Sequence, residues 1–69
     1  MAAMREAIGD AAGKIWRYLE AQGSRSVSQI QRDTRLSQSL TYLALGWLAR
    51  EDKVRFAQER RALLVSLEG

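Results

Sequence analysis

The sequence predicts a mostly helical α+β domain: three helices followed by a small two-stranded hairpin. Three observations carry that prediction. Apolar residues recur at helical spacing in two long stretches, Met4 to Leu19 and Leu36 to Lys53. A short segment, Gln29 to Thr34, lies between them behind a serine suited to capping a helix. After Asp52 the apolar period drops to two, the period of a strand.

The first helix carries Met4, Ile8, Ala11, Ala12, Ile15, Trp16 and Leu19 on its apolar stripe. It should end near Gln22, with Gly23 as its stop. Gly9 and Gly13 interrupt the pattern, each at up to about 1 kcal/mol against Ala. Two readings stand. Asp10 is the true N-cap, with the residues before it frayed or forming a preceding turn, or the two glycines form a groove where another helix approaches closely. The connector SRSVS follows, extended, with Val27 pointing inward. Ser28 then caps a short helix anchored by Ile30. Arg35 and Leu36 make the turn into the third helix, giving a helix-turn-helix layout. Glycine is common in that turn because it adopts left-handed backbone. Arg35 therefore implies a different turn or a strain of about 1 kcal/mol.

The third helix, read as Leu36 to Lys53, organises the chain. Leu36, Leu40, Leu43, Ala44 and Trp47 fall on one face at about 100° per residue, and this face is expected to meet the core. Trp47 is the expected central packing residue, against Ile15, Leu19, Ile30 and Val54, with Trp16 at the edge and partly exposed. Ser37 is a good N-cap, and Arg50 and Lys53 suit the negative end of the helix dipole. The other face, Gln38, Thr41, Tyr42, Leu45, Gly46 and Ala49, carries no charge and is too apolar for plain solvent. It is either covered by the chain or a contact surface.

In the hairpin, Val54 and Phe56 alternate with Arg55 and Ala57, and Leu63, Val65 and Leu67 with Leu64 and Ser66. The tip, Gln58 to Arg61, has no Gly, Asn or Pro, which suggests a loop longer than two residues.

Composition narrows the chemistry. The 69 residues make one domain, spanning 1–69, near the lower limit for a core without staples. There is no Cys and no His, no phosphate-binding glycine loop and no nucleophile–base pair. Catalytic residues, metal ligands, cofactors and a small-molecule ligand are accordingly not expected, and Glu51 and Asp52 read as solvated charges. The segment MAAMREAIGDAAGK carries charges throughout, so neither a signal peptide nor a membrane span is expected, and a cytoplasmic location is the default. Net charge is +3, with Arg supplying nine of eleven positive charges, a mild basic bias compatible with nucleic acid.

Helix, extended piece, helix, turn, helix and hairpin is the order of a winged helix-turn-helix. The segments IGDAAGKIWRYLE, SVSQI and YLALGWLAREDKV resemble a family of short stand-alone winged-helix proteins of bacteria and archaea classed as a domain of unknown function. The resemblance covers nearly the whole chain, and LALGWLARE is its most specific part. It implies three helices plus a two-stranded wing, with DNA binding inferred from the fold and some members dimeric. It brings no established catalytic or ligand residues.

Two function classes follow. In the first, the protein binds double-stranded DNA, as a transcription-associated dimer. Arg25, Arg32, Arg35, Arg55, Arg60 and Arg61 would hold phosphates, with Arg60 and Arg61 at the wing tip. Gln38, Ser39, Thr41 and Tyr42 are the groups available for reading bases, a thin set without a basic residue before Arg50. In the second, the winged helix serves protein–protein contact, as a homodimer joined through Tyr42, Leu45 and Ala49 or through Gly9 and Gly13. Any single Arg reads better as an ordinary solvated charge, with Asp33 and Glu59 partly neutralising the set; three on one short hairpin are more suggestive.

Overall fold

The computed structural model describes residues 2–68. In chain order these form α1 (Ala2–Gln22), β1 (Arg25–Ser26), α2 (Val27–Thr34), α3 (Gln38–Arg50), β2 (Val54–Glu59) and β3 (Ala62–Leu67). The architecture is the expected α+β arrangement with one correction. The sheet has three antiparallel strands in the order β1-β3-β2, not two. The connector supplies the third: Arg25 pairs with Val65 and Ser26 with Leu64.

Helix ends account for much of the local structure. Gly23 adopts φ 80° and its N–H donates to the Leu19 carbonyl at 2.7 Å, which closes α1 as the sequence suggests. The cap of α2 is Ser26 rather than Ser28. Its Oγ accepts the Gln29 N–H at 3.1 Å while the Gln29 Oε1 accepts the Ser26 N–H at 3.2 Å, a reciprocal capping box. Ser26 thus ends β1 and begins α2, so strand and helix share a junction with no slack. Arg35, at φ 61°, closes α2 by donating its N–H to the Gln31 carbonyl. Of the two turns considered, the strained left-handed one is present. Ser37 caps α3 as expected, its Oγ accepting from the Leu40 N–H. The helix stops at Arg50, short of Lys53, because Asp52 takes φ 58° and two bonds tie the end down. Asp52 N–H reaches the Ala49 carbonyl and Lys53 N–H the Leu48 carbonyl, a Schellman motif.

The core lies between α1, α2, α3 and the inner face of the sheet, filled by Ile15, Leu19, Ile30, Ala44, Leu45, Leu48, Val54 and Val65. Each large aliphatic side chain withdrawn from water there contributes about 1.5–3 kcal/mol. The face that α3 turns inward differs from the expected one. Its buried residues are Thr41, Ala44, Leu45 and Leu48. Shifting the expected stripe by one residue reproduces this set, a roll of about 100°. Trp47 is therefore not the central packing residue: it is 42% exposed, whereas Leu45 is 2% exposed. Thr41, at 0%, tolerates burial because its hydroxyl donates to the Ser37 carbonyl at 2.8 Å. Buried Thr34 does the same to Ile30 at 2.6 Å.

The hairpin register runs from Val54↔Leu67 to Glu59↔Ala62, leaving only Arg60 and Arg61 as the loop. The tip is thus tighter than expected. Arg60 takes φ 52°, and the Gln58 side-chain amide donates to the carbonyls of Arg60 and Ala62 at 3.3 and 3.2 Å. That strap does part of the work a turn glycine or asparagine would do.

Candidate nucleic-acid interface

The helix-turn-helix places α2 and α3 on either side of Arg35, Leu36 and Ser37, with the hairpin following α3. On the outward side of α3, Gln38 and Ser39 are exposed at the N-terminal end. Beyond them lie Tyr42, Leu43 and Trp47, at 54%, 47% and 42% exposure. No charged side chain occurs on α3 before Arg50. Two sequence-derived candidates leave the surface. Thr41 is buried with its hydroxyl engaged, so it cannot read a base, and Leu45 is core, so it cannot join an interface. Ala49 packs partly buried against the core. Leu43 and Trp47 are exposed where burial was expected, so the apolar outer patch exists but is made of different residues.

The arginines divide by their engagement. Arg25 is half-buried and turned back on its own neighbourhood, donating to the Ser24 carbonyl at 2.8 Å and to Gln22 Oε1 at 3.5 Å. Arg55 lies 3.9 Å from Glu68, and Arg32 3.9 Å from Asp33, both exposed pairs that water screens to little value. Arg35, Arg60 and Arg61 are exposed and, among the described residues, have no acidic partner within 4.0 Å. Asp33 is held instead by Tyr18, whose hydroxyl donates to it at 2.5 Å. Partial burial, then the adjacent Asp33 carboxylate, raise the Tyr18 pKa above its ordinary value.

Backbone geometry adds a signal that residue type alone does not carry. Among the described residues three non-glycine positions have positive φ: Arg35, Asp52 and Arg60. Asp tolerates that region, but Arg has no local side-chain bond to compensate it. Two arginines thus occupy strained positions, one at the helix-helix turn and one at the hairpin tip.

Asp10 is not an N-cap, since α1 runs unbroken from Ala2 to Gln22, and Gly9 and Gly13 do not mark a close helix approach within the fold. A Cβ at Gly9 would meet nothing within 4 Å, and one at Gly13 only the Arg17 Nη1 at 3.5 Å. They border instead an open groove of about 470 Å³ between α1 and α3. A second, smaller apolar groove of about 250 Å³ separates α3 from the wing, with Tyr42 and Phe56 on its walls. Among the described residues no cluster of three or more His, Cys, Asp or Glu could hold a metal, and no helix is long and apolar enough to cross a membrane.

Comparison with known proteins places this geometry. A family model described as a winged helix-turn-helix domain (DUF2582) matches residues 1–67. An uncharacterised protein of Methanocaldococcus jannaschii, MJ1608, is 38% identical over 64 residues, which cover 88% of this chain and 90% of that one. The solution NMR structure of protein BT2368 from Bacteroides thetaiotaomicron superposes with a TM-score of 0.84 at 35% identity, covering 94% of this chain and 79% of that one.

Proposed function

The chain belongs to the winged helix-turn-helix domain family DUF2582, and on that footing we propose that it is a DNA-binding protein that holds the duplex by its phosphates and reads little sequence. The observation that carries this reading is the pair of left-handed arginines. Arg35 and Arg60 keep a backbone conformation that glycine would hold with less strain, and both side chains are exposed and, among the described residues, have no acidic partner within 4.0 Å. Strain retained at a surface position points to a role for the side chain. An arginine fork matches a phosphate, and turn and wing tip together would straddle a groove. Arg61 and Arg32 complete a set of four phosphate contacts. Base reading is left to Gln38 and Ser39, because the other exposed side chains of α3 before its last residue, Arg50, are Tyr42, Leu43 and Trp47.

The test is titration of mixed-sequence duplex DNA at about 50 and 200 mM salt. Four phosphate contacts give a log–log slope of about −3.6, so affinity should fall roughly a hundredfold between those concentrations. Replacing Arg60 and Arg61 by Ala should weaken every sequence alike and reduce the slope by about two. Absence of binding at the lower salt would remove the proposal. Loss confined to one selected site would make these residues base readers.

A second reading rests on the exposed apolar patch. Tyr42, Leu43 and Trp47 on α3 form a face that a homodimer would cover, in keeping with so small a core. Light scattering across a concentration series on the wild type and on Leu43→Glu tests it. Concentration-dependent dimers lost in Leu43→Glu support the reading, and a monomer at high micromolar concentration ends it. Because this face would then be occupied, disruption of the dimer on DNA binding would show that the two uses compete.

A further inference from the structure

We propose that the groove between α1 and α3 is a binding site for a planar aromatic carboxylate. Its volume of about 470 Å³ lies within the range of small-molecule pockets. Trp16 of α1 and Trp47 of α3 both line it, and both are only partly buried. Two indoles brought to one groove from separate helices offer flat faces and edges to an aromatic ring, in stacked or edge-on contact.

The glycines point the same way. Gly9 and Gly13 each weaken α1 by up to about 1 kcal/mol. Packing does not require them, since a Cβ at Gly9 would touch nothing within 4 Å and one at Gly13 only the tip of Arg17. What their missing side chains do is leave the α1 wall of the groove open. The Arg17 guanidinium lies beside Gly13, its Nη1 3.5 Å from where a Gly13 Cβ would stand.

The charges around the groove select the ligand's sign. Arg17, Lys53 and Glu51 line it. None has an ion-pair partner within 4.0 Å among the described residues, although cations and carboxylate share one groove. Two cations and one anion leave a lining charge of +1, which suits a monoanion better than a dianion or a cation. Arg17 and Lys53 would bind the carboxylate, and the ring would lie between the indoles.

The chain's only two Trp both line this groove, so their two indole Nε1–H signals in a ¹⁵N–¹H spectrum report on it without background. The full chain is titrated with 2-naphthoate and, separately, with the cation 2-naphthylmethylammonium. Both indole signals and the amides of Gly9 and Gly13 should move together with 2-naphthoate, saturating at about millimolar concentration, with the cation at least about tenfold weaker. Arg17→Ala with Lys53→Ala should weaken naphthoate by at least about tenfold, since both charge-assisted contacts to the carboxylate are lost. Gly13→Leu should fill the groove and abolish binding. No movement at about 10 mM naphthoate, equal affinity for the cation, or unchanged binding in the double Ala variant would each overturn the site. The double variant changes only exposed charges, so the result does not hang on whether Gly13→Leu folds. DNA binding is decided by its own titration and is independent of this outcome.

Discussion

The two faces of α3 are both apolar, yet they have opposite fates. The inner face is small and tightly filled: Thr41, Ala44, Leu45 and Leu48, all buried. The outer face carries the bulkier side chains, Tyr42, Leu43 and Trp47, each more than two-fifths exposed. Hydrophobicity alone would reverse the assignment. The inner residues fit because several elements meet them: Leu48 lies beside Ala12 of α1, and Leu45 beside Val27 of α2 and Leu63 of β3. A small-residue seam brings helices together, whereas a Trp at its centre would hold them apart. What the neighbouring elements present, not apolarity, decides which face goes in.

The largest test of that contrast is a pair of truncations. Leu45→Ala should cost about 2–5 kcal/mol, as for a fully buried Leu. Leu43→Ala, one helical step outside, should change stability by less than about 0.5 kcal/mol. Trp47→Ala should fall well short of the roughly 3–5 kcal/mol of a buried Trp. Equal losses at Leu43 and Leu45 in chemical denaturation would mean that α3 is rolled differently.

One element upstream, Ser26→Ala should cost about 1 kcal/mol through loss of the capping box, while Ser28→Ala, inside the helix and exposed, should be close to neutral. The reverse order would restore Ser28 as the cap and shift α2 by a half turn.

Arg35→Gly should act in the opposite direction. Removing a left-handed Arg should stabilise the fold by about 0.5–1 kcal/mol, less the extra freedom of an unfolded glycine. It should lower DNA affinity at the same time. Greater stability with unchanged DNA binding would leave Arg35 a plain turn residue.

The smallest effect is expected at Tyr18. Its pKa is raised in the fold, so the neutral hydroxyl that donates to Asp33 is favoured there. That contribution is fully present below the ordinary tyrosine value of about 10 and is lost as pH rises through the higher folded value. Thermal melts of Tyr18→Phe should therefore lack a small alkaline loss present in the wild type. Identical alkaline profiles would show that the Tyr18–Asp33 bond contributes nothing.

Much of the fold was legible because it rests on local rules. Gly23 stops α1, Ser37 caps α3, and Val54, Phe56, Leu63 and Val65 alternate as strands. The arginine candidates were legible by type only. Nothing in the sequence separates Arg35 and Arg60, exposed at strained turns, from Arg25, folded back on Ser24, or Arg55, beside Glu68. The one available clue was the absence of glycine from both turns. The groove of Trp16 and Trp47 was illegible for another reason: its walls are 31 positions apart in the chain, and the helical pattern assigned Trp47 to the core.

By itself the sequence determined the order of helices and hairpin and the ends marked by strong local signals, Gly23 after α1 and Ser37 before α3, because caps, breakers and apolar periods act within a few residues of one another. It misplaced the cap of α2, at Ser26, and the end of α3, at Arg50. Only tertiary structure decided the roll of α3, the addition of β1 to the sheet and the two-residue tip at Arg60 and Arg61. The physical reason is a degeneracy. From Gln38 to Ala49, α3 has no charged residue, so two apolar stripes about 100° apart describe it equally well, and the difference in free energy lies in what α1, α2 and β3 present to it.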